Sequence, residues 1–369
     1  MYVGGVCCVQ KIKKVLIVFP DEWVAYSPTI LNLVEMIKKK YLVRVVCFDI
    51  NIYNNKGLNS EIYKLLNINY FLYRVLCKLR VINIFKILVL YLKIRNQKYD
   101  IVIGVDVIGV IVCQLIFKKC FYLSLEIKKD KLLRFIKWNN ILGLIIQTKE
   151  RLAYLCKNNI NFPVILMQNA PIIDDDMCPV KHDISDNIKI IYMGNICKAH
   201  GVLQCIDLVN QSSLNIKLYL KGIIPNDFEK ELRYKYKQMI DESKLVIDKT
   251  YIEQNNIKEY LSQFMIGFCF YDFNLIAKDD FNYVSCPSGK LFNYYMAGVP
   301  VIATNILGLK SVLDFETGVL VNSYNVEEIE SAIKQILNSY ECYVENCYKA
   351  SQHYDFKVAY QELEKILEN

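Results

Sequence analysis

Pro287-Ser288-Gly289-Lys290 stands immediately before an apolar run, Leu291 to Ala297, that reads as a helix. A serine suited to the N-cap, a glycine with no side chain to obstruct approach and a lysine in the first turn present backbone N–H groups and positive charge at one point. Phosphate is favoured at such a helix start. A cap with no ligand has the same composition. A second stretch, Gly194-Asn195-Ile196-Cys197-Lys198-Ala199-His200-Gly201, follows a predicted strand over 189–193. Its glycines let the backbone approach a diphosphate while Lys198 supplies charge, with Asn195 and His200 alongside. A plain β–α turn requiring two glycines reads the same way. In the first half Asp21, Asp106 and Glu126 each follow a predicted strand. Each carboxylate is suited to take a proton from an acceptor hydroxyl, and each is equally readable as a helix cap or a surface acid.

Parallel β–α–β units must position these residues, because open parallel sheets bind ligands at the carboxyl ends of their strands. Val15 to Phe19 is the unbroken apolar run of a strand buried on both faces, and Ser27-Pro28 then supplies an N-cap and a first-turn proline. Ile30, Leu31, Val34 and Ile37 share one helical face ahead of Lys38-Lys39-Lys40, and a second strand is predicted over 43–48. The alternation recurs with strands over 101–105, 120–125, 142–147 and 164–167, and with helices over 108–117 and 149–157. A stretch rich in Asp and Pro, 172–186, reads as a linker. Beyond it, strands are predicted over 189–193, 217–220, 245–247, 265–270, 300–303 and 318–321. The expected fold class is α/β, with two tandem Rossmann-like domains and an interdomain cleft. The expected boundaries are 1–172, a linker over 173–186, 187–345, and a helical segment over 346–369 that packs back on the first domain. After the first strand stands Pro20-Asp21-Glu22-Trp23 in place of a glycine-rich dinucleotide fingerprint, which disfavours a nicotinamide-dependent dehydrogenase.

The chain of 369 residues is long for one hydrophobic core, and its 53% hydrophobic and 22% charged residues are an ordinary globular balance. A formal charge of +7, from 45 basic against 38 acidic residues, suits phosphate-bearing molecules or anionic surfaces. The basic residues are dispersed and no nucleic-acid-reading motif is present, so no nucleic-acid partner is expected. Fourteen cysteines without compact spacing read as reduced thiols of a cytoplasmic protein, and no signal peptide is read at the N-terminus. The run Ile101 to Phe117 is broken by Asp106 and is too short to span a bilayer. Asp174-Asp175-Asp176 has the look of a metal motif but lies in the expected linker, so no essential metal is expected. Over Phe71 to Arg95, Arg74, Lys78, Lys86 and Lys93 share one side of a helical projection among apolar residues. That pattern fits either a core-packing helix with a lysine-coated face or peripheral contact with an anionic membrane at its inner face.

The order Pro287-Ser288-Gly289-Lys290-Leu291-Phe292-Asn293-Tyr294-Tyr295-Met296-Ala297-Gly298-Val299-Pro300, followed by Glu316-Thr317-Gly318-Val319-Leu320-Val321, resembles the donor region of GT-B-fold glycosyltransferases, in particular the group-1, family-four retaining type. Tyr192-Met193-Gly194 with Gly201, and Gln168-Asn169-Ala170-Pro171, extend the likeness. The resemblance implies a nucleotide-sugar donor, a glycan or lipid-linked acceptor, and a place in cell-surface polysaccharide synthesis, with no cofactor. It places Ser288, Gly289 and Lys290 against the donor diphosphate, and Lys198 in the matching loop with Gly194, Asn195 and His200. The family's paired glutamates, eight positions apart, are here Ser285 and Asn293; Asn293 retains hydrogen-bonding capacity toward a ribose but neither supplies a carboxylate. Inverting relatives often use a histidine in the first domain, whereas His182, His200 and His353 all lie beyond it, which favours retention. A nucleotide-sugar epimerase and a non-catalytic nucleotide-sugar-binding protein are the competing readings. Acid–base work in the first domain falls to Asp21, Asp106 and Glu126.

Overall fold

The computed structural model describes residues 12–52, 55–127, 131–156, 160–173, 187–272, 274–275 and 280–368. The expected linker over 174–186, with its aspartate run and His182, lies outside the described residues. Two compact units form, one of Met1–Met167 with Tyr360–Asn369 and one of Gln168–Ala359.

The first unit is built on a seven-stranded sheet: β1 (Lys14–Phe19), β2 (Leu42–Asp49), β3 (Tyr63–Asn67), β4 (Ile101–Val105), β5 (Cys120–Ser124), β6 (Ile141–Ile146) and β7 (Val164–Leu166). Their order is β3-β2-β1-β4-β5-β6-β7, and every pairing is parallel. Val15 to Phe19 are buried throughout, as a central strand covered on both faces requires. The strand order reverses between β1 and β4, which opens a crevice at their carboxyl ends. Asp21, Asp106 and Glu126 follow β1, β4 and β5 there.

Two features of this unit differ from the expected elements. β3 was not anticipated, because Tyr63–Asn67 is an edge strand whose exposure is mixed and whose sequence lacks a continuous apolar run. The single stretch Phe71 to Arg95 is two helices, Tyr70–Lys78 and Ile82–Ile94. Arg80 between them takes a φ of +58°, which no helix accommodates, although apolar spacing runs on through the break.

The second unit carries β8 (Ile188–Asn195), β9 (Ile216–Ile223), β10 (Leu245–Asp248), β11 (Ile266–Cys269), β12 (Val301–Thr304) and β13 (Gly318–Val321) in the order β10-β9-β8-β11-β12-β13, again all parallel. Its reversal lies between β8 and β11. The helix Gly289–Met296 precedes β12 and buries Leu291, Phe292, Tyr294 and Tyr295 almost completely. Each such side chain contributes roughly 1.5–3 kcal/mol of burial. The Tyr294 hydroxyl accepts from Met193 N at 2.9 Å and lies 3.3 Å from the carbonyls of Ile191 and Phe268. This helix is therefore pinned to the reversal point itself.

The chain ends in helices Tyr340–His353 and Phe356–Glu368. The last of these reaches the first unit, where Lys40 pairs with Glu364 at 3.2 Å and with Glu368 at 3.0 Å, and Lys13 donates to the carbonyl of Leu367 at 3.2 Å.

Candidate donor site and the acidic strand ends

At the reversal point of the second unit, Tyr192 on β8 is fully buried and its hydroxyl accepts from the Lys290 ammonium at 2.7 Å while donating to the Asn195 carbonyl at 3.1 Å. The ammonium also lies 4.0 Å from the centre of the Tyr192 ring and 5.8 Å from that of Tyr271, within cation–π range. Among the described residues no carboxylate pairs with Lys290, and burial holds its pKa below the usual lysine range. A partly buried cation that packs against aromatic rings, a hydroxyl and cysteine thiols, with no carboxylate beside it among the described residues, is chemically suited to an anion, because an unpaired charge out of water is unfavourable until one arrives.

Ser288 occupies the N-cap position of helix Gly289–Met296 in extended conformation, but its side chain makes no capping hydrogen bond. The first-turn N–H groups are thus left to the backbone and to whatever approaches. A Cβ on Gly289 would come within 2.8 Å of the Asn169 side-chain nitrogen and displace that amide. Gly194, at φ +123°, faces Gly222 across the β8–β9 pair, and a Cβ on Gly222 would lie 1.9 Å from the Gly194 oxygen. The backbone can therefore close up beside Lys290, whose Cε is the nearest atom to a Cβ built on Gly194, at 3.5 Å.

The other loop residues divide. Asn195 turns its side chain to solvent and contributes its carbonyl, which also meets His200 Nδ1 at 3.0 Å. His200 packs edge-on to Tyr271, and burial followed by the Lys290 charge pushes its pKa down to about 4. It is a neutral imidazole at pH 7, so it brings hydrogen-bonding capacity and no charge. Asn293 is half-buried on the helix and its side chain makes no hydrogen bond among the described residues. Ser285 is buried and bonds its own helix at the Phe281 carbonyl. Lys198 is not gathered to this group. Its ammonium pairs with Glu231 at 2.8 Å on helix Asn226–Lys235, and both side chains are about half exposed. Exposed pairs of this kind contribute about 0–1 kcal/mol. Lys198→Ala is accordingly expected to change nucleotide affinity less than about three-fold, within the range of a rim charge; titration calorimetry of the two proteins checks it, and a ten-fold loss would return Lys198 to the site.

In the first unit the three acids do converge. Asp106, with φ +49°, accepts from Leu125 N at 2.8 Å and Glu126 N at 3.0 Å, tying the end of β5 to the start of helix Asp106–Phe117. Burial pushes its pKa up to about 7, with the nearby Asp21 and Glu126 charges adding to the rise. Asp21 is engaged by Lys86 at 3.1 Å, and Glu22 by the same ammonium at 2.8 Å. Lys86 corrects the sequence reading: it belongs to the buried face with Leu90 and Ile94, only 4% exposed, and not to a solvated basic stripe. Its spacing with those two leucine-type positions, i, i+4 and i+8, was the available signal. Sequence reasoning also missed Arg151, fully buried and donating to the Leu125 carbonyl at 2.6 Å and to the Gln147 side chain, and it gave Tyr192 and Tyr271 no role.

No family model matches the chain, and no curated protein matches it in sequence. Solved structures match it over nearly its whole length. The Anabaena protein HepE in complex with UDP-glucose superposes with a TM-score of 0.67 at 12% identity, covering 96% of this chain and 99% of that one. Sucrose-phosphate synthase from Thermosynechococcus elongatus gives 0.64 at 13% identity, over 96% and 98%. The lipopolysaccharide outer core galactosyltransferase WaaB gives 0.58 at 13% identity, over 93% and 97%. These structural neighbours are GT-B glycosyltransferases, and the chain shares their fold, two Rossmann-like units with parallel sheets of seven and six strands. Identities this low carry the fold alone.

Proposed function

We propose that the chain is a retaining glycosyltransferase that moves a sugar, of hexose type, from a nucleotide-sugar donor to a glycan or lipid-linked acceptor in cell-surface polysaccharide synthesis at the cytoplasmic side. The observation that carries the reading is Lys290: a partly buried ammonium without a carboxylate, set in the first turn of a helix whose cap serine does not cap. A donor diphosphate at this point meets the ammonium and the first-turn N–H groups together. As the bond to the sugar breaks, charge grows on the leaving diphosphate, and donors already in place lower the barrier without reorganising. Gly194 leaves the space beside the Lys290 stem free of a side chain, and neutral His200 and Asn293 offer hydrogen bonds to the donor. Structural neighbours that hold UDP and UDP-glucose support the donor class.

On the acceptor side, Asp106 and Glu126 at the strand ends are the proposed proton acceptors, while Asp21 is occupied in orienting Lys86. The positive field of Lys290 and the helix start suffices for the diphosphate, so no essential metal is proposed.

Thermal shift against nucleoside diphosphates tests this directly. A ligand at about a hundred times its Kd adds about 2.7 kcal/mol to native-state stability, and the shift is expected to persist in a chelator. Abolition by chelator with rescue by magnesium overturns the metal-free site; no shift with any nucleoside diphosphate overturns the donor reading. Turnover separates the classes: a transferase releases nucleoside diphosphate only when acceptor is present, whereas an epimerase converts the nucleotide sugar alone.

A further inference from the structure

Helix Tyr70–Lys78 contains no buried residue. Its Tyr73, Val75 and Leu76 are partly buried, and Asn69 caps it by accepting from Phe71 N at 2.9 Å, but neither accounts for the apolar residues left on its outer side. Phe71 is 77% exposed, with Tyr70 and Leu72 exposed beside it. The next helix, Ile82–Ile94, is apolar on two sides. Lys86, Leu90 and Ile94 face the core, and Ile84, Leu88 and Leu92, at the same four-residue spacing, are each at least half exposed. An exposed apolar stripe on a helix that already buries another has no role in the fold of this unit.

Charge identifies what covers it. From Ile62 to Tyr99 the sequence contains no aspartate or glutamate, and Arg74, Lys78, Arg80, Lys93, Arg95 and Lys98 are all exposed on or beside these helices. Protein–protein interface cores are depleted of lysine, whereas an apolar face rimmed by unopposed cations and tyrosines is the composition of a segment lying in an anionic bilayer surface. Among the described residues no helix is long and apolar enough to cross a membrane, so contact is at the interface. We infer that the helix pair Tyr70–Lys78 and Ile82–Ile94 docks on an anionic lipid bilayer, with Ile84, Leu88, Leu92 and Phe71 entering the headgroup and acyl boundary and the flanking cations meeting lipid phosphates. The inference does not depend on the donor site.

Co-sedimentation of the full chain with vesicles tests it, using phosphatidylcholine alone and phosphatidylcholine mixed with phosphatidylglycerol. Binding is expected to the mixed vesicles only, and to fall steeply between about 0.05 M and about 0.5 M salt as the Debye length shrinks. The double variant Arg74→Gln/Lys78→Gln is expected to bind about 25-fold more weakly, about five-fold per cation removed. The triple variant Ile84→Ser/Leu88→Ser/Leu92→Ser is expected to lose detectable binding while keeping the wild-type circular dichroism and lowering the melting midpoint only modestly, since half or more of each side chain is already in water. Equal binding to both vesicle types, no binding to either, or a dimer in light scattering that the triple variant dissolves would each overturn the assignment; the last would show that a second copy of the chain covers the stripe.

Discussion

Replacing Lys290 with methionine is expected to lower nucleoside-diphosphate affinity ten- to a hundred-fold while leaving the unliganded protein as stable as the wild type or more so. The two halves of this result have one cause. The Lys290 ammonium is partly buried, donates to the Tyr192 hydroxyl, lies against two aromatic rings with no carboxylate beside it among the described residues, and has a pKa held below the usual range by burial. In the empty protein that charge is a burden, and methionine keeps the packing of the stem without it. When a diphosphate arrives, the same charge gains a charge-assisted contact worth roughly 1.5–3 kcal/mol, which the variant forgoes. A purely structural lysine would behave in the opposite way, losing stability and leaving affinity alone. If the leaving-group charge is the main target, kcat falls further than donor affinity, because the interaction strengthens as the sugar departs. Calorimetric titration with a nucleoside diphosphate, thermal melting without it and steady-state transfer kinetics separate these outcomes. Full donor affinity in a folded Lys290→Met protein removes the proposed site.

The fold was legible where burial leaves a continuous trace. Val15 to Phe19 and Ile101 to Val105 are strands covered on both faces, and their unbroken apolar runs, separated by helical periodicity, fix a parallel sheet. β3 at the edge has no such trace. The break at Arg80 was invisible because the apolar spacing runs on through it, from the outward-facing Tyr70–Lys78 into Ile82–Ile94, where one apolar row faces the core and another faces solvent. In the second unit, the Ser288-Gly289-Lys290 helix start could be read because its residues are consecutive. What surrounds it could not: Tyr192 is 98 positions from Lys290, and Glu231 is 33 from Lys198. Strand order brings the first pair together, and the second draws Lys198 outward; neither follows from local spacing. Lys86 shows the same limit in reverse. A lysine on a helix is read as solvated until the two acids after β1 are seen beneath it.

Asp106→Asn is expected to make the first unit more stable at and above neutral pH and to remove much of its pH dependence below that. Asp106 has an ordinary value of 3.8 in the unfolded chain and about 7 in the folded protein, raised chiefly by burial and further by the charges of Asp21 and Glu126. Between these values the folded state binds the extra proton, so stability declines as pH rises. The favourable contribution is therefore complete below about pH 4 and lost as pH climbs through about 7. Asparagine is uncharged at every pH, tolerates the positive φ, and keeps an oxygen to accept from Leu125 N and Glu126 N. At about one kcal/mol or more per pKa unit, the expected gain over wild type at pH 8 is about 2–4 kcal/mol, shrinking to near zero at about pH 4. Both tryptophans, Trp23 and Trp138, lie in the first unit, so their fluorescence during urea unfolding follows this unit without interference from the second. Parallel pH profiles for variant and wild type would show that the Asp106 carboxyl is not held as described. Transfer measured on the same variant then assigns the residue: a gain in stability accompanied by loss of transfer marks a carboxylate kept ionisable at a functional site against the interest of the fold, while unchanged transfer leaves Glu126 as the proton acceptor among these strand-end acids.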